Sequence, residues 1–332
     1  MGSGNSHVDV SAVSLQWYQA SLQHPCLLPD VGVDESLLKF SGINSNTELQ
    51  AYSSELADKV PDYIEKFVSN FGTFSPIPNA VGLGALMISM ILEIVMKSTT
   101  TQTNENSYSM LQRVFGEEKA SSVRDTMTVC VDRHRTYMNN EQRLAEELRI
   151  LERTLSGHLA TLKNSLLYDG QMSSRGFKIW VNGAYFQVQM LIHETRLSKK
   201  PKKAKAEDVK SISALIDRHL QDLDRLLDIY KPYKTRMTKA TSLTDWCYVG
   251  LTSVVCKQSA CLIRNIDNKQ VQCEVKSESL DDPCESSDVM EAYINRMFTD
   301  YNPVLKSNFL DVKTNLGSLI NQHDAFTPPY ID

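Results

Sequence analysis

Apolar positions recur at helical spacing along most of this chain. Leu49, Tyr52, Leu56 and Val60 follow the i, i+3, i+4 rule behind Ser45-Asn-Thr-Glu48, which reads as a capping box. Pro61 then kinks or restarts the helix before Ile64, Phe67, Val68 and Phe71. From about 117 to 168 no proline intervenes, and one seam runs at alternating steps of four and three. It passes through Val123, Met127, Cys130, His134, Tyr137, Glu141, Leu144, Leu148, Leu151, Leu155, His158, Leu162 and Ser165. Beyond Leu155 the apolar positions Leu159, Leu162 and Leu166 fit better, the drift of a 3.6-residue helix against a 3.5-residue repeat, so the spacing predicts bundle packing rather than a strict coiled coil. One helix of that length would be roughly 75 Å long at about 1.5 Å per residue.

A second, more apolar helix is predicted from about Ser174 to Leu197, largely buried and antiparallel to its predecessor after the Asp169-Gly170 turn. Val209, Ile212, Ile216, Leu220, Leu223, Leu227 and Tyr230 make an amphipathic third, expected to stop at Pro232. A fourth is read around Thr235 to Arg264, and the alternation Val271, Cys273, Val275 reads as a short strand without an obvious partner. A last helical region spans about 288–321, interrupted at Pro303, before an extended tail. The expected fold class is therefore all-α: an elongated multi-helix bundle with one very long helix (about 117–168) and a buried apolar helix (about 80–96). The expected division is a flexible, acylated N-terminal segment 1–44, a helical bundle 45–265, and an acidic helical extension and tail 266–332.

The apolar helix is the feature that bears on function. From Phe67 to Leu92 there is no charged residue, and the densest part is Val81 to Met96, with Glu93 its one acid. A membrane-spanning helix needs about 20 apolar residues, and Pro76 and Pro78 block extension upstream. Asn79 is placed to cap a helix beginning near Ala80. Two readings follow. Either this is the central helix of a bundle, with Gly82, Gly84, Ala85 and Ser89 admitting close neighbours, or it is stored in the fold and released into a bilayer through Val81, Leu83, Leu86, Met87, Ile88, Ile91 and Leu92.

Charge changes the picture. The 332 residues carry 35 basic and 40 acidic side chains, a net −5, but unevenly. Residues 1–110 hold 4 basic against 11 acidic, 111–265 hold 26 against 17, and 266–332 hold 5 against 12. The basic middle includes Lys199, Lys200, Lys202, Lys203 and Lys205, five lysines in seven residues around Pro201. Each contributes about 1 kcal/mol beside an anionic leaflet. The chain also begins Met1-Gly2-Ser3-Gly4-Asn5-Ser6, which matches the N-myristoylation pattern at Gly2. A single acyl chain binds membranes marginally and needs a second signal, which the lysine run supplies. The expectation is a cytoplasmic protein peripheral to the membrane, its partner an anionic membrane surface, with self-association or protein partners through its helices and no nucleic acid.

The remaining chemistry is sparse. Seven cysteines without a secretory signal or an Asn-X-Ser/Thr acceptor are expected to be reduced thiols. His193-Glu194 lacks the second histidine of a zinc-protease helix, since Leu197 stands there. Gly82-Leu-Gly84 lacks the third glycine of a dinucleotide loop, and Cys247, Cys256 and Cys261 do not have zinc-knuckle spacing. Glu146, Glu147 and Glu152 among Arg143, Arg149 and Arg153 read as a solvated face. His134 and His158 fall on the long seam, where a pH-sensitive contact is conceivable. No catalytic residue, metal or cofactor is expected, and the protein is read as a non-enzymatic binding or scaffold protein, with a membrane-permeabilising protein as the alternative.

The order of elements from Pro76 to Arg264 resembles the rapunzel family of fish proteins. The match is an apolar helix, then Leu111-Gln-Arg-Val-Phe-Gly116 opening a long polar helix, then a buried aromatic helix, then the apolar segment with Trp246-Cys247-Tyr248. It leaves the first 70 and last 65 residues unmatched. The resemblance implies a helical, non-enzymatic vertebrate protein linked to development, and it carries over no site residues.

Overall fold

The computed structural model describes residues 9–72, 76–97, 122–198, 206–249, 254–267, 273–278, 284 and 286–329. The protein is mostly helical, as its periodicity predicts, with one small antiparallel sheet. It divides into two compact units, each assembled from separated stretches of chain. The larger comprises residues 31–170, 175–224 and 306–332, and the smaller 1–30, 171–174 and 225–305. This differs from three consecutive segments because helices distant in sequence bury their apolar faces on one another. Gly2 and the five lysines 199, 200, 202, 203 and 205 lie outside the described residues.

In the smaller unit, α1 (Val10–Leu22) is capped by Asp9, whose carboxylate accepts from the Ser11 and Ala12 amides. The segment expected to be flexible is thus ordered helix here, because Trp17 is 1% exposed and meets Tyr293 edge-on at 5.8 Å. Ser21 Oγ and Tyr293 Oη complete the contact at 2.6 Å. Where a fourth helix was expected the chain forms a hairpin, β1 (Thr238–Val249) against β2 (Val254–Asn265), with β3 (Cys273–Glu278) on the far edge of β2. Thr238, Thr241, Thr244, Trp246, Tyr248 and Val249 in the first arm and Val254, Val255 and Ile263 in the second are β-branched or aromatic, types that favour pleated backbone over helix. The short strand expected at Cys273 and Val275 does have a partner, the stretch Ala260 to Asn265, all but the last residue of which falls in the expected helix.

The larger unit holds α2 (Glu35–Ser41), α3 (Ser45–Lys59), α4 (Tyr63–Phe71), α5 (Leu83–Lys97), α6 (Ser122–Tyr137), α7 (Glu141–Leu167) and most of α8 (Ser174–Leu197). The first part of α9 (Ala206–Met237), the end of α10 (Ser287–Thr314) and α11 (Leu316–Asn321) also belong to it. The expected very long helix is two helices. Asn140 interrupts it, its side chain accepting from the Arg143 amide to cap α7. The halves fold back on each other, with Arg133 3.5 Å from Glu147 near the turn and Thr126 Oγ1 2.9 Å from His158 Nδ1 further out. Eight of the thirteen predicted seam residues are buried, Val123, Met127, Cys130 and His134 of α6 and Leu144, Leu148, Leu151 and Leu155 of α7, while Tyr137, Glu141, His158, Leu162 and Ser165 are half-buried. A seam that would serve two partners along one rod instead closes on itself.

The structure bears out α8 as a buried helix antiparallel to α7. Arg149 pairs with Glu194 at 2.6 Å and Gln187 donates to Glu152 at 2.6 Å, so early α7 faces late α8. Gly183 permits the close approach, since a Cβ there would stand 2.7 Å from Leu159 Cδ2 and 2.8 Å from Val123 Cγ1. Neither proline ends its helix: α9 continues through Pro232 to Met237 and α10 through Pro303. Both prolines lie on exposed faces, where water can serve the carbonyl that loses its N–H partner.

Candidate functional site

The apolar segment is a buried helix, α5, packed by α2, α3, α4 and α6. Val81, Leu83, Leu86, Met87 and Leu92 are wholly inaccessible and Ile88 and Ile91 are 1% exposed, while Ile94 reaches solvent at 42%. Burying those seven side chains stabilises the unit by on the order of 10–20 kcal/mol relative to exposing them. No described helix is long and apolar enough to cross a membrane.

What the sequence did not reveal is how the start of α5 is held. Neither expected cap forms. Ser45 Oγ is turned from its own helix to accept from the Gly82 amide at 2.7 Å, and α5 begins at Leu83 rather than Ala80. Asn79 takes a left-handed conformation, φ 53°, and its amide links outward, donating to Glu141 Oε1 at 2.5 Å and meeting His323 Nδ1 at 3.0 Å. The extended C-terminal segment straps this approach: Ile77 and Phe326 exchange both backbone hydrogen bonds, at 2.8 and 2.9 Å, and the Ala80 amide donates to Asp324 O at 2.9 Å. Asn46 Nδ2 donates to Ala80 O at 3.0 Å and to Ala325 O at 3.2 Å, joining α3 to both strands of the strap.

At the centre stands Arg196, near the end of α8 and 1% exposed. Its Nη1 donates to Val81 O at 2.8 Å and its Nη2 to Leu319 O at 2.6 Å. Burial lowers its pKa to about 10, against the nearby charge of Asp324, so it remains a cation at neutral pH. Nη1 also lies 2.9 Å from His193 Nδ1. A guanidinium only donates, so His193 must accept through Nδ1, which fixes a neutral ring with its proton on Nε2. That Nε2 is buried without a partner, as is His134 Nδ1. The two imidazoles stack with centroids 5.1 Å apart and planes 29° apart. Burial pushes the His134 pKa down to about 3; burial, then the neighbouring His134 and Arg196, hold His193 well below its ordinary value.

Two glycines make room for this arrangement. A Cβ on Gly84 would stand 2.2 Å from Asn79 O and 3.0 Å from His193 Cε1. Gly82, with φ 55°, would bring one to 3.3 Å from Arg196 Nη2. The pair read in the sequence as an incomplete nucleotide loop serves instead to seat a buried arginine and histidine. Of the histidines singled out on the seam, His134 belongs to this clasp while His158 bonds Thr126. Arg196 carries no sequence signal beyond being one of four charges in a largely apolar helix, and His193 reads in the sequence only as half of a metal motif.

The smaller unit corrects the expectation of reduced thiols. Cys261 of β2 is joined to Cys284 by a disulfide, with Cα atoms 5.5 Å apart, and Cys26 is also disulfide-bonded. Cys130, in α6, is buried and free. Among the described residues no group of three or more His, Cys, Asp or Glu is placed to hold a metal ion. No family model, no curated protein and no solved structure matches the chain.

Proposed function

We propose that this is a non-enzymatic protein that acts on membranes, with α5 as a stored membrane-active segment. The observation that carries this reading is the manner of storage. A helix whose apolar residues from Leu83 to Leu92 are all but inaccessible is pinned at its first turn by side chains from α3 and α8 and by the C-terminal strap, not by apolar packing alone. Exposing such a helix to water is too costly to serve any purpose, so its release requires an apolar acceptor, and a bilayer is one. With 15 residues α5 extends about 22 Å, short of a hydrocarbon core of about 30 Å, so it would seat in one leaflet, and permeabilisation would follow from several copies together. Ile94 offers a reporter position because it is already exposed. An Ile94→Cys chain carrying an environment-sensitive dye should shift to the blue on liposomes and release their contents. A dye that stays in water under every lipid and pH condition overturns the reading.

A second reading has the protein anchored peripherally by an acylated Gly2 and the five lysines from Lys199 to Lys205. It is favoured by where those lysines fall in the chain, between α8 and α9, beginning three residues after Arg196. Recruitment to anionic lipid would then act next to the residue that pins α5. The disulfides argue against the reducing compartment in which that acylation and a cytoplasmic location were expected. Intact mass of the native chain and flotation with Gly2→Ala and lysine-neutralised variants test it. An unmodified Gly2, with flotation indifferent to the lysines, removes it.

A further inference from the structure

We propose that His134 and His193 form an acid-sensitive latch on the first turn of α5. The latch deepens the stored-helix reading, and rests on it for its purpose. The geometry makes the two protonation states of the pair incompatible with one structure. With both rings neutral, His193 Nδ1 offers Arg196 the lone pair it donates to, and the stacked rings fill a buried space between α6 and α8. Protonation of His193 removes that lone pair and sets an N–H against the guanidinium 2.9 Å away. Protonation of His134 adds a cation stacked 5.1 Å from the same ring. Water could relieve either, but it cannot enter while α5 is seated, because Gly84 packs against His193 and Val81 O is held by Arg196. The cheapest relief is therefore to lift the first turn of α5 from Arg196.

The surroundings do not offset the added charge. On α8 the facing charged group is Arg196, a cation that opposes protonation. On α6 it is His134 itself, with Cys130 one turn before it and kept as the neutral thiol by burial. The C-terminal segment contributes Asp324, whose charge acts on Arg196. From α3 come only the uncharged Ser45 and Asn46, and the first two turns of α5 hold no titratable residue. Glu93, nine residues after Gly84, is roughly 13 Å further along the helix. Glu141 and His323 are one step out, both hydrogen-bonded to Asn79.

Hydrogen exchange of the full-length protein, followed by mass spectrometry, tests the latch without any membrane. As the pH falls from about 7 to about 5, amides of residues 83–90 should lose protection while those of α7 keep theirs. Below the ordinary histidine pKa the opening constant should rise about tenfold per pH unit for each proton taken up. The double variant His134→Phe, His193→Gln keeps a ring on one side and an acceptor for Arg196 on the other, and its protection of 83–90 should be flat over that range. The latch is overturned if 83–90 open no earlier than α7 in the native chain, or if a folded double variant keeps the native pH dependence. Opening in acid without leakage from liposomes would support the latch and remove the permeabilising reading, so the two fail separately.

Discussion

Arg196 Nη1 lies 2.8 Å from the carbonyl oxygen of Val81, 115 residues away in the chain, and Nη2 of the same guanidinium lies 2.6 Å from Leu319 O, 123 residues away on the other side. One buried fork thus ties the start of α5 to α11. Lysine keeps the charge but cannot present two donors in a fixed plane to two carbonyls. Arg196→Lys should destabilise the larger unit by about 2–3 kcal/mol, the cost of leaving a buried acceptor unmade. Urea unfolding followed by exchange in 83–90 checks this, and an unchanged midpoint would show the fork to be incidental.

Two glycines give opposite expectations from the same substitution. At Gly84 an alanine Cβ would stand 2.2 Å from the Asn79 carbonyl, so backbone must move and Gly84→Ala should cost about 2–3 kcal/mol or more. At Gly157, inside α7, a Cβ meets nothing within 4 Å, and alanine should stabilise by about 0.5–1 kcal/mol through helix propensity. Paired thermal melts decide both.

Acid should weaken the fold in a defined window. His134, His193 and His219 all have folded pKa values below the solution value; burial takes His134 to about 3 and His219 to about 4. His219 is held neutral in a chain of contacts, Nε2 donating to Gln187 Oε1 at 3.0 Å while Gln187 donates to Glu152. The unfolded chain binds protons that the folded chain refuses, so the stability these groups leave intact above about pH 6.5 is lost as the pH falls below it. Each contributes a slope of about 1.4 kcal/mol per pH unit. Urea midpoints across that range report it; a flat profile from about pH 6.5 to about pH 5 contradicts the buried neutral rings.

The Cys261 to Cys284 link closes a loop of 23 residues and should stabilise the smaller unit by about 3 kcal/mol. Non-reducing peptide mapping should recover Cys261 joined to Cys284, and Cys130 should resist alkylation until the larger unit unfolds. Cys284→Ser should then lower the melting temperature of the native chain but not of chain held in reductant. Equal melting of both chains without reductant would remove the bond from the folded protein.

Local pattern reached the elements whose register depends only on neighbours in the chain. The buried positions of α6, α7 and α9 were legible because an amphipathic helix shows its buried face through spacing alone, whatever it packs against. The break at Asn140 was not, since a seam continues smoothly through a turn that folds it in half. The hairpin at Thr238 to Asn265 was missed for a related reason: short apolar runs satisfy both periods, and pairing with β3 settled which was used.

By itself, the sequence determined that the chain is mostly helical and that Val81 to Met96 must be removed from water, because hydrophobic burial follows from composition and spacing. Only the tertiary structure decided what guards that helix. Arg196 and His193, His134, Ser45 and the strap at Asp324 come from four separate stretches of chain, and they meet because the buried space at the first turn of α5 leaves carbonyls and amides that must be satisfied by whatever the fold brings there.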